Sequence, residues 1–292
     1  VKDHWRYKPQ FDKLQVMLVP EAATRVAMLR TGQVDIAGVS LDDAPGLAKK
    51  GFKFARDPQA SSVRIHLYGT YYKKAGPIGK LDVRKALNLA INRDELVQTL
   101  FRGAGKPAAV FPVSELSIGY PKGLKPYPFD PAEARKLLAK AGYPNGFKIK
   151  LFSVPTGGFT LHQQVSEAVA GYWEAIGVKT DIVPTDIGAF RPLYIKRPQA
   201  PQLVGQASIF ATTGRLNGAS SLGIWWTKSR KILQLAENVD DLYAATQKAG
   251  TVKEIADLTE KAFRIIYSDY RSIPIADVAG ILWAYGNQVG GI

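Results

Sequence analysis

The residues from Phe129 to Leu151, FDPAEARKLLAKAGYPNGFKIKL, constrain the fold more than any other stretch, because both ends of a helix and the strand after it are written in one line. Asp130 stands at an N-cap position, Pro131 fits the first helical turn where its missing N–H costs nothing, and Glu133 has the spacing of a capping box. Ala134, Leu137, Leu138 and Ala141 form an apolar stripe. Gly142 suits the left-handed residue after a helix, and Pro144 forbids continuation. Asn145-Gly146 then turns the chain into FKIKL, where Phe147, Ile149 and Leu151 alternate with lysines at strand period. A chain built from such units is committed to an α/β fold.

The same grammar recurs. KLQVMLV (residues 13–19) reads as a buried strand, residues 21–30 as a helix ended by Gly32, and VDIA (34–37), FKFA (52–55) and VRIHLYG (63–69) as further strands. DVRKALNLAI (82–91) reads as a helix. Asn92–Glu95 and Thr251–Glu254 have the spacing of two more capping boxes. In the stretch beginning at Leu161, Val165, Val169, Tyr172, Trp173 and Ile176 share one helical face before Gly177 and the strand VKTDIV. SIPIADVAGILWAY, near the end, reads as extended chain.

Length and composition then remove whole classes of function. The 292 residues, 46% hydrophobic and 22% charged, suffice for one large domain or two ordinary ones. No run has the eighteen or so uncharged apolar residues of a membrane helix. The absence of cysteine excludes disulfides, thiolate metal sites and cysteine nucleophiles. A net charge of +14 invites a nucleic-acid reading, yet the basic residues are dispersed and form no Lys/Arg block, so a solvated basic surface is the simpler account.

No catalytic constellation emerges, and no cofactor is implied. GAGKP (103–107) lacks the first glycine and the hydroxyl of a phosphate loop and reads as a turn. His4, His66 and His162 have no metal-ligand spacing. GASSLG (218–223) lacks the glycine of a nucleophile elbow and reads as a loop. Asp42-Asp43 and Asp240-Asp241 stand near helix starts, where the macrodipole accounts for them.

The ordered series FDKLQVMLVPEAATRVAMLRTGQVDIA, DVRKALNLAINRDELV, GKPAAVFPVS, YPFDPAEARKLLAKAGYPNGFKIKL and VSEAVAGYWEAIGVKTDIVPTD resembles the peptide- and nickel-binding family of ABC-transporter solute-binding proteins over nearly the whole chain. The resemblance implies a type II periplasmic-binding-protein fold. It also implies an extracytoplasmic receptor whose two α/β lobes close over a small solute, with a membrane permease as partner and no chemistry of its own. By the same analogy residues 1–72 would belong to the first lobe, 73–271 to the second and 272–292 to the first again, with hinges near Tyr71 and Ser272. The family's usual N-terminal region does not precede Val1, so the first lobe is expected to be incomplete.

Peptide binders of this family carry a tryptophan followed closely by an aspartate that pairs with the peptide's α-amine. The matching place here is IFATTGRLNGASS, with Phe210 near the tryptophan position and Thr213 near the aspartate, which puts free-amine peptides in question. The resemblance therefore nominates Phe210, Thr213, Gly214, Arg215, Asn217, Trp225 and Trp226 as ligand-binding candidates. Residues 187–236 hold no Asp or Glu but include Arg191, Lys196, Arg197, Arg215, Lys228, Arg230 and Lys231, and Arg215 is the candidate for an anionic solute. The bland readings are a solvated basic face and core aromatics. The rival functions are a non-transporting, partner-binding domain and a basic nucleic-acid module.

Overall fold

The computed structural model describes residues 11–40, 42–56, 61–156, 159, 161–196, 199–212, 215–228, 238–278 and 282–290. In chain order the first elements are α1 (Ala22–Arg30), β1 (Ile36–Val39), α2 (Ala44–Ala48), β2 (Lys53–Arg56) and β3 (Ser61–Leu67). Next come α3 (Leu81–Leu89), α4 (Arg93–Thr99), β4 (Gly105–Pro107), α5 (Pro131–Lys140), β5 (Lys148–Ser153) and α6 (His162–Glu174). The chain continues through β6 (Lys179–Pro184), α7 (Ile187–Ile195), β7 (Ala207–Thr212), α8 (Gly218–Trp225), α9 (Val239–Lys248) and α10 (Val252–Ser268). It ends with β8 (Ser272–Val278) and β9 (Leu282–Tyr285). None of the described helices is long and apolar enough to cross a membrane.

Two compact units result, one of residues 1–56 with 281–292, the other of residues 57–280. In the smaller, β9 lies between β1 and β2 and pairs with both antiparallel. Val26, Leu29, Val39, Leu47 and Ala284 form its core. The stretch 13–19, expected as a buried strand, is neither a strand nor buried: Leu14, Val16 and Leu18 are exposed. An apolar stretch becomes a strand only when another strand satisfies its N–H and C=O groups, and no described strand pairs with it.

The larger unit is built on a mixed six-stranded sheet in the order β4-β8-β3-β7-β5-β6. Only the β5–β6 and β5–β7 pairings are parallel. β3 and β8 are antiparallel neighbours in this sheet, and β3 pairs antiparallel with β7 on its other side. One face of the sheet packs on α3, α4, α5 and α6 through Val83, Leu87, Leu137, Leu138, Val169 and Trp173. The other packs on α7, α8, α9 and α10 through Phe190, Leu222, Trp226, Leu242, Phe263 and Ile266.

The local signals act as read, with two exceptions in detail. Asp130 accepts from the Glu133 N–H at 2.8 Å, but its own N–H goes to the Leu89 carbonyl at 2.8 Å and Glu133 does not close the box. Asn92 caps α4 at 3.1 Å, while Glu95 turns instead to the Tyr172 hydroxyl at 2.8 Å and ties α4 to α6. Thr251–Glu254 is a complete capping box. Gly146 takes φ +71° and meets the Gly177 carbonyl so closely that a Cβ would sit 1.8 Å from its oxygen, so only glycine fits there. The sequence reading of GASSLG as a loop is corrected: Asn217 caps Ser220 N at 3.3 Å and opens α8. Its small residues are what lets the helix sit close, since Gly223 lies against Tyr243 and a Cβ on Gly218 would meet the Ile118 carbonyl.

Trp173 is completely buried and its indole N–H donates to the Leu87 carbonyl at 3.1 Å, joining α6 to α3. Trp173→Ala removes both the ring and the bond. It is expected to lower unfolding free energy by about 3–5 kcal/mol, measured by urea denaturation.

Candidate ligand-binding site

β3 alternates its side chains between the two faces of the larger sheet. Val63, Ile65 and Leu67 enter the aliphatic core under α3–α6. Arg64, His66 and, just beyond the strand, Tyr68 enter the opposite side, where Phe210 of β7, Trp225 of α8 and Phe111 meet them. The Arg64 guanidinium carbon stands 3.2 Å from the Phe111 ring centre, 5.1 Å from Trp225 and 5.3 Å from Phe210. His66 stacks on Phe210 at 5.0 Å and 16°. Phe210 and Trp225 meet edge to face at 6.2 Å. Three rings thus surround a cation and an imidazole on a sheet floor.

The hydrogen bonds fix the protonation of this cluster. Arg64 Nε–H donates to His66 Nε2 at 2.6 Å, so that nitrogen carries no proton. The proton of the neutral ring is then on Nδ1, which faces the Tyr68 hydroxyl at 3.4 Å; Tyr68 and Ser208 Oγ lie 2.9 Å apart. Burial, and after it the Arg64 charge, hold the His66 pKa well below its usual value. Arg64 is pushed down strongly by burial too, opposed by the phenols of Tyr68 and Tyr194. No carboxylate among the described residues pairs with it. Arg64 Nη1 donates to the Ser62 carbonyl at 3.0 Å, whereas Nη2 has no acceptor.

The nominated residues divide. Phe210 and Trp225 belong to this cluster, and Trp226 is wholly buried in the core beside it. Asn217 is spent on capping α8. Arg215 is exposed, its carbonyl accepting from Ser117 Oγ at 2.6 Å, and its guanidinium lies outside the ring box. Thr213 and Gly214 lie outside the described residues, as do Arg197, Arg230, Lys231 and His4. Arg191, Lys196 and Lys228 of the acid-free run are exposed. Sequence reasoning missed Arg64, His66 and Phe111, although an arginine and a histidine at alternate positions of VRIHLYG were a visible sign that one face of this strand is not aliphatic. No cluster of metal-ligating side chains occurs among the described residues.

A matching family model covers residues 1–208 and describes the middle part of bacterial extracellular solute-binding proteins, family 5. The chain belongs to that family. Its relatives include heme-binding protein A of Haemophilus influenzae, 26% identical over 96% of this chain and 51% of that protein. The glutathione-binding protein GsiB of Salmonella paratyphi A is 31% identical over 91% of this chain and 52% of its own length. The chain therefore spans about half the length of these curated relatives. Among solved structures, the periplasmic binding protein DppA of Helicobacter pylori, in complex with the peptide STSA, matches with TM-score 0.78 and 23% identity, over 99% of this chain and 56% of that one. CtaP of Listeria monocytogenes matches with TM-score 0.82 and 18% identity, over 100% and 59%. The fold is that of the type II periplasmic binding proteins.

A further buried ionisable group stands on β8, the strand beside β3. Asp277 of β8 faces Ser62 across the β3–β8 pair, and burial raises its pKa to about 7, against the weaker pull of Lys106, with Glu115 adding to the rise. Lys106 and Glu115 are themselves paired at 2.5 Å and largely exposed. A carboxyl raised in the folded state holds its proton where the unfolded chain has lost it. Stability from this group is therefore present at low pH and is lost as pH rises from about 4 through 7. His66, buried neutral, acts in the opposite sense below its unfolded pKa. Asp277→Asn isolates the carboxyl: relative to the parent, the variant gains stability progressively across that window, by up to about 4 kcal/mol at pH 8, read from urea midpoints at a series of pH values.

Proposed function

We propose that this chain supplies the solute-binding part of an ABC importer, capturing a peptide-like or other small solute non-covalently outside the cytoplasm and delivering it to a membrane permease. Family membership supports the class of function. The single observation that carries it to a place on this chain is the box of Phe111, Phe210 and Trp225 around Arg64 and His66. Apolar ring faces and a few convergent polar atoms are what a small-molecule site needs, and none of these groups is arranged for proton transfer to a nucleophile. The ligand would lie against this cluster.

The relatives' ligands set the range to test: one is named for glutathione, one for heme, and DppA was solved with a peptide. A thermal-shift screen of short peptides, their N-acylated and carboxylate-bearing analogues, glutathione and nickel chelates is the direct test. A solute at a hundred times its Kd adds roughly 2.7 kcal/mol to stability and raises Tm accordingly. Silence of a folded sample to the whole panel would overturn the receptor reading and favour a partner-binding domain.

A further inference from the structure

Three arginines of the larger unit are buried among the described residues: Arg64, Arg84 and Arg93. Two are spent on structure. Arg93 Nε donates to the Pro274 carbonyl at 2.7 Å and Nη2 to Asn88 Oδ1 at 3.0 Å, while Nη1 serves the carbonyls of Asn88, Ile91 and Tyr127. Arg84 pairs with Asp269 at 2.7 Å and bonds the carbonyls of Ile78, Gly79 and Asp269. Arg64 alone of the three has a nitrogen with no acceptor at all.

A second donor in the same box is equally idle. The Trp225 indole N–H is buried and has no acceptor, and its ring centre is 5.1 Å from the Arg64 guanidinium carbon. Phe210 and Trp225, at 6% and 7% exposure, are the ring-box members that still touch solvent, so an incoming group approaches across them. The neighbouring imidazole cannot serve as counter-ion, because it accepts from Arg64 as a neutral ring. A buried cation with one end unbonded and no opposite charge is costly to keep, and the orphan donors define what would relieve it.

We propose that Arg64, with the Trp225 indole beside it, is the recognition point for a carboxylate of the solute, which makes the ligand an organic acid. This inference rests on the receptor reading above. A carboxylate has the in-plane lone pairs to accept from Nη2 and from the indole together. A phosphate dianion would bring three charged oxygens to a box whose remaining walls are rings and a neutral imidazole. The anion site thus moves from the exposed Arg215 to Arg64.

The test uses the 292-residue chain with propionate as the minimal carboxylate and propionamide as its neutral isostere, read by ¹⁵N NMR of arginine side chains and of indole N–H groups. Propionate is expected to shift the Arg64 Nη and Trp225 Nε1 signals saturably, propionamide to leave them in place, and Arg64→Met to abolish the response. Arg64→Lys keeps the charge without the fork and should weaken binding by about tenfold or more. Unliganded Arg64→Met is expected to melt no lower than the parent, whereas Arg93→Met, which strands four carbonyls and Asn88 Oδ1, melts lower. Equal shifts with the amide, no saturable shift, or a drop in the Tm of Arg64→Met as large as that of Arg93→Met would each overturn the assignment. A hit in the solute screen that survives unchanged in Arg64→Met would overturn the carboxylate assignment and leave the receptor reading standing. Silence in both experiments overturns both.

Discussion

The strand β3 is the constraint on which the larger unit depends. It lies between β7 and β8, hydrogen-bonded to both and covered on both faces, so every side chain it carries is committed to one of two unlike interiors. Val63, Ile65 and Leu67 suit only the aliphatic side, and Arg64 and His66 only the other. A register slip of one residue would drive a guanidinium into the packing of Val83, Leu87 and Ile209 and expel three aliphatic chains from it. The register is therefore fixed by a penalty on both faces at once. The bulge between Val63 and Arg64 in the β8 pairing shows how finely: one extra residue on β8 is absorbed so that the alternation of β3 is not.

Arg93 shows how the same chemistry serves structure alone. Its planar fork reaches carbonyls from the end of α3, from the 127 loop and from β8, segments far apart in sequence. Backbone carbonyls in irregular stretches have no ladder to satisfy them, and one always-charged side chain with five donors satisfies several together. The stack of Tyr127 on Tyr267, with ring centres 4.4 Å apart, and the Tyr127 hydroxyl donating to the Tyr267 carbonyl at 2.6 Å close this junction. The fold is thus held at its irregular corner without borrowing Arg64.

Much of this was legible in the sequence wherever the signal is local. Asp130, Asn92 and Thr251 cap helices because a short acceptor lies three residues before a free N–H, and Gly142 takes φ +89° where a side chain would be strained. Signals that need a partner elsewhere were read less well. The stretch 13–19 has strand composition but no described pairing partner, and α8 was hidden because Gly218, Ala219, Ser220 and Ser221 look like loop until Ile118 and Tyr243 are seen against them. The candidate site divided in the same way. Phe210 and Trp225 were reachable by resemblance, but Arg64 was not, because what marks it is the absence of an acceptor, and absence has no pattern in a sequence.

The two poorly compensated charges of this sheet stand on adjacent strands. Ser62 faces Asp277 across the β3–β8 pair, and Arg64, two residues on, points to the same side of the sheet. An ion pair between Asp277 and Arg64 would cancel a buried charge on each strand, and the two do not make it. Asp277 instead meets its burial by holding a proton up to about pH 7, which an arginine cannot do in reverse. A sheet selected for stability alone would replace Arg64 with a hydrocarbon of similar volume. Keeping a buried cation with no partner at one end leaves Nη2 open to an acceptor from outside the chain.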